Sequence, residues 1–94
     1  MEEHEYKYVF PAIKGCESLT MQEQMAKINE EAYELQCEIL SEKKSRRWIL
    51  YEAMNVLHAL ETLFRSMECR KEELTAAIME TMYDNEKRGY YGEQ

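Results

Sequence analysis

Apolar residues recur along this chain at intervals of three and four through three stretches, and alternate with polar ones through a fourth. Met21, Met25, Ile28, Ala32, Leu35 and Ile39 make the first stripe; Ile49, Ala53, Val56, Leu60, Leu63 and Met67 make the second; Leu74, Ile78 and Met82 make the third. Side chains three and four apart share one face of a helix, so each stretch predicts an amphipathic α-helix. Leu50, Leu57 and Phe64 widen the second stripe, which predicts a helix buried on a broad face and central to the fold.

Punctuation between the stripes sets the expected ends. Ser18 or Thr20 can cap the first helix, and Glu23 stands three after Thr20 as in a capping box. That helix should end between Ser41 and Ser45, and the second should start near Ser45 or Arg46. The third runs from about Lys71 to Glu86 and stops at Gly89, with Lys87 and Arg88 in a last turn where cations suit the helix dipole. Short connections predict an all-α fold, an antiparallel array of three main helices. The first two would supply half of a four-helix bundle that a second copy completes.

Before the first helix, Tyr6, Tyr8 and Phe10 alternate with Lys7 and Val9, and Pro11 and Gly15 follow. This pattern predicts an extended aromatic N-terminal arm over residues 1–18, docked on the helices or acting as a lid over a site. The expected organisation is one domain, 1–94: the arm, a helical core over 19–88 and a tail over 89–94.

Composition narrows the function. Ninety-four residues bury a modest share of their surface, so a homodimer or homotetramer is expected. Net charge is −7, and the only dense basic run, Lys43-Lys44-Ser45-Arg46-Arg47, falls between two expected helices, so nucleic acid is not an expected partner. Cys16, Cys37 and Cys69 are odd in number and lack metal-ligand spacing; they read as reduced thiols, Cys37 and Cys69 as packing residues. An acidic start (Met1-Glu2-Glu3-His4-Glu5) without an apolar stretch, and no run long enough to cross a bilayer, predict a cytoplasmic protein without membrane contact.

The chemistry-bearing pattern is acidic. Glu30-Glu31-x-x-Glu34 lies on the first expected helix and Glu52-x-x-Asn55 on the second. Residues three apart are neighbours on a helix, so facing helices can gather up to four oxygen-bearing side chains beside the apolar seam. Periodicity alone also admits a solvated acidic face, softened by Lys27. Glu31, Glu34, Glu52 and Asn55 flank the seams, however, where unpaired charge is expensive and a hard divalent cation removes the penalty. A di-iron site is not expected, because Glu-x-x-His is broken at Asn55 before His58, which reads as a partner-satisfied helix residue. Trp48 reads as core.

KINEEAYEL, EAMNVLHAL and DNEKRGYYGE, in that order, resemble the MazG-like all-α nucleoside triphosphate pyrophosphohydrolases over roughly residues 20–92. That family carries E-E-x-x-E on one helix, E-x-x-D on the next and a basic R-G ending. The resemblance implies cleavage of NTP or dNTP into a monophosphate and diphosphate. By it, Glu31, Glu34, Glu52 and Asn55 would hold Mg²⁺ (or Mn²⁺), and Glu30 or Glu38 would orient the attacking water. Lys87 and Arg88 would neutralise the leaving diphosphate. Asn55 stands where the family has Asp. Three readings stay open: an active hydrolase, a weak or inactive relative that binds nucleotides or a protein, and a self-association module.

Overall fold

The computed structural model describes residues 5–92. Residues 1–4 of the expected arm and 93–94 of the expected tail lie outside the described residues. Within them the chain is all-helical, with α1 (Met21–Leu40), α2 (Arg46–Ser66), α3 (Lys71–Lys87), a 3-10 turn at Cys16–Ser18 and no strand. None of these helices is long and apolar enough to cross a membrane. Tyr8–Glu68 form one compact unit; the described parts of Met1–Lys7 and Cys69–Gln94 form another.

Each helix begins where a local side chain satisfies its orphan amides. Thr20 Oγ1 accepts from Glu23 N at 3.0 Å while Glu23 Oε1 accepts from Thr20 N at 2.9 Å, a complete capping box. Ser45 Oγ accepts from Trp48 N at 3.4 Å to start α2. Glu73 Oε1 accepts from Arg70 N at 2.9 Å at the start of α3. Gly89, at φ 77°, ends α3: Gly89 N donates to Glu86 O and Tyr90 N to Asn85 O, the paired bonds of a Schellman motif.

In the larger unit α1 and α2 pack as an antiparallel hairpin. Partners step down one helix as they step up the other: Gln24 Nε2 donates to Ala59 O at 2.7 Å, Glu31 and Glu52 share a cluster, and Ser45 N donates to Glu38 Oε1 at 3.4 Å. The seam of α1 is therefore Gln24, Ile28, Glu31, Leu35 and Glu38, all buried or half-buried. This corrects the stripe expected from sequence. Met21, Ala32 and Ile39 are exposed, and Met25 is 64% exposed.

Along α2 the side chains from Asn55 to Ser66 are all buried or half-buried. Two further expectations are corrected here. Trp48 is 48% exposed, edge-on to Tyr51 at 5.3 Å, so it is not core. Cys37 is exposed and Cys69 half-buried, whereas the buried thiol is Cys16.

In the smaller unit Leu74 is buried and Ile78 and Met82 half-buried, the seam expected for α3. Tyr6 N donates to Thr75 Oγ1 at 3.3 Å, and Lys71 pairs with Glu5.

Candidate metal centre and adjoining cleft

Glu31 and Glu34 stand one turn apart on α1, and the hairpin register sets Glu52 of α2 opposite them. One carboxylate oxygen from each lies within 4.8 Å of the others. Glu31 is buried, at 8% exposure, Glu52 is half-buried and Glu34 faces solvent. Three carboxylates this close repel one another, and the charge of Glu31, followed by partial burial and the charge of Glu52, raises the Glu34 pKa above its ordinary value.

One cation answers part of this charge. Lys27 Nζ lies 2.9 Å from Glu31 Oε1. Its hydrogen bond to Glu31 raises the Lys27 pKa against the opposing effect of burial, and the charges of Glu31, Glu30 and Glu34 add to the rise. The ammonium occupies one oxygen of Glu31 only. Glu31 Oε2 and Glu52 Oε2 are both buried without a hydrogen-bond partner. A buried carboxylate oxygen without a donor is costly. An all-oxygen donor set with two such orphans suits a hard divalent cation.

Other residues expected at the site sit as follows. Asn55, one turn after Glu52, lines the same cleft as Glu31 and Lys27. Glu30 is exposed, 3.9 Å from Lys27 Nζ. Glu38 is half-buried and accepts from the Ser45 amide. Lys87 and Arg88 belong to the smaller unit, where they lie beside aromatic rings: Lys87 Nζ is 5.2 Å from the Tyr83 ring and Arg88 Cζ 5.9 Å from the Tyr90 ring.

The cleft has a volume of about 440 Å³. Glu23, Gln24, Lys27 and Glu31 line it from α1, and Asn55, His58, Ala59 and Thr62 from α2. Ile13 and Leu19 close it from the segment before α1. His58 was expected to be partner-satisfied; its Nε2 is instead buried with no partner.

A second polar group escaped the sequence reading. Glu61 has 0% exposure and accepts from Val9 N at 2.8 Å and Phe10 N at 2.9 Å. Arg65 Nη2 donates to Phe10 O at 2.8 Å, and its guanidinium lies 3.8 Å from the centre of the Tyr8 ring. The Phe10 ring in turn stacks on His58, centroids 4.6 Å apart and planes at 20°. The available signal was polar residues at 58, 61 and 65 (spacings of three and four), which continue the line of Glu52 and Asn55 along α2.

Compared with protein-family models, with curated proteins and with solved structures, the chain matches none of them.

Proposed function

We propose that this chain is a Mg²⁺-dependent nucleoside triphosphate pyrophosphohydrolase of the MazG-like kind, cleaving NTP or dNTP between the α and β phosphates into monophosphate and diphosphate. The observation that carries this reading is the convergence of three carboxylates, two with buried unpartnered oxygens, beside a cleft of nucleoside size. Glu31, Glu34 and Glu52 hold the cation, with the amide oxygen of Asn55 as the fourth donor; Mn²⁺ suits the same oxygens. Bound there, a divalent cation supplies charge neutralisation for the triphosphate and acidification of water.

The chain's own groups do the rest. Lys27 fixes one oxygen of Glu31 and leaves the other for the cation. Glu30 and Glu38 are the carboxylates assigned to orienting the attacking water. Self-association as a homodimer or homotetramer belongs to the same proposal. It is supported by the apolar side chains left uncovered in the larger unit, Met21, Met25, Ile39 and Leu40 on α1 and Trp48, Leu50 and Met54 on α2.

Asn55 favours a second reading, a weak or inactive relative that binds nucleotide or protein as a helical module, because one negative charge is missing from the donor set. The test is incubation with Mg²⁺ and a panel of ribo- and deoxynucleoside triphosphates, measuring the monophosphate released. The expected result is turnover that Glu31→Gln abolishes. No turnover, restored by Asn55→Asp, supports the second reading, and no turnover in either protein overturns the first.

A further inference from the structure

The cleft beside the carboxylates has a polar lining that is almost wholly committed. Glu23 spends its carboxylate on the Thr20 amide, Gln24 donates to Ala59 O at 2.7 Å, Thr62 donates to His58 O at 2.9 Å, and Lys27 is held by Glu31. Apart from Glu31 Oε2 and Asn55, which the cation reading takes, the exception is His58 Nε2, buried and unpartnered. Leaving such an atom unsatisfied is costly, so a native structure that keeps one calls for an explanation. The ring that carries it is also held in place. Phe10 stacks on its face, and Glu61 and Arg65 hold the Phe10 backbone from both its N–H and C=O sides.

The rest of the lining says what the cleft accepts. Glu23 and Glu31 make it a poor place for phosphate, while Ile13, Leu19 and Ala59 supply apolar walls. Its volume of about 440 Å³ falls in the range of small-ligand sites. A neutral flat heterocycle with a hydrogen-bonding edge fits both features.

We propose that this cleft receives the base of the nucleoside triphosphate, and that His58 Nε2 hydrogen-bonds the edge of that base and sets base preference. This inference rests on the pyrophosphohydrolase reading and names the part of the substrate that the carboxylates do not engage. A neutral imidazole nitrogen either donates or accepts, so it rejects a base presenting the matching group.

The test compares the wild type, His58→Phe and His58→Gln on the nucleoside triphosphate panel, with inorganic tripolyphosphate as a baseless inhibitor. In His58→Phe, KM for the preferred nucleotide should rise about tenfold with kcat nearly unchanged, and the ranking of bases should collapse. Inhibition by tripolyphosphate should not move, and His58→Gln, which keeps a hydrogen-bonding group, should retain part of the ranking. Without Mg²⁺, the free nucleoside of the preferred base should shift the His58 imidazole NMR signal. An unchanged KM and ranking in His58→Phe, or a His58 signal that the nucleoside leaves in place, overturns this assignment and leaves the hydrolase reading standing. Absence of turnover with every triphosphate, in the wild type and in Asn55→Asp alike, overturns both.

Discussion

Glu31 of α1 and Glu52 of α2 meet across the hairpin with carboxylate oxygens within 4.8 Å, and each keeps its Oε2 buried without a hydrogen-bond partner. Apart from the Lys27 ion pair at Glu31 Oε1, neither residue gains from this arrangement in the metal-free protein. Like charges at this separation oppose folding, and Lys27 offsets the charge at one oxygen only.

That opposition predicts a stabilising substitution. Glu52→Gln removes one charge and keeps the shape, so in EDTA the variant should be more stable than the wild type by about 0.5–1 kcal/mol. Thermal unfolding in EDTA measures it. A drop in the midpoint would mean that Glu52 is satisfied in the free protein. With millimolar Mg²⁺ the order should reverse, since a ligand that binds only the folded state stabilises by mass action.

Glu61 predicts the opposite sign. Glu61→Ala strips the acceptor from the amides of Val9 and Phe10, and charge-assisted bonds of this kind are worth about 1.5–3 kcal/mol. Unfolding by urea should show a loss of about 3 kcal/mol. Hydrogen exchange at those two amides should accelerate more than exchange in the middle of α1. Uniform acceleration across the unit would argue against a local clasp.

The capping box gives a pH signature. Its hydrogen bonds from the Thr20 backbone and side chain hold Glu23 below its ordinary pKa of 4.5. A depressed carboxylate contributes stability that is present above the unfolded pKa and lost as pH falls through the folded one. The contribution therefore disappears on the acid side of pH 4.5. Thr20→Ala should cost about 1 kcal/mol at neutral pH and flatten the acid limb of the stability curve. An unaltered acid limb would show that the box does not couple to protonation.

Helix ends were legible in the sequence because capping is local. Thr20 with Glu23, Ser45 and Gly89 act within a few residues of themselves, and all stand where the pattern predicted. Glu31, Glu34 and Glu52 were legible as a group because one-turn spacing and a short antiparallel connection leave little freedom in register. The rotation of α1 was not. Periodicity tells which residues share a face and not which face finds a partner, so Gln24 and Glu31 entered the seam while Met25 stayed open. Glu61 was hidden for a related reason. Its partners are backbone amides about fifty residues away, and no local pattern encodes them. His58 was misread because its satisfaction depended on that same tertiary arrangement.

The most direct measurement is calorimetric titration of the nucleotide-free protein with Mg²⁺, beside Glu31→Gln and Glu34→Gln. A carboxylate cluster built for a cation predicts saturable binding of one Mg²⁺ per chain in the wild type, with release of a proton wherever Glu34 begins protonated, and no saturable binding in either variant. Wild-type protein that takes up no Mg²⁺, or variants that bind it as the wild type does, would contradict the metal centre and the phosphate chemistry that depends on it.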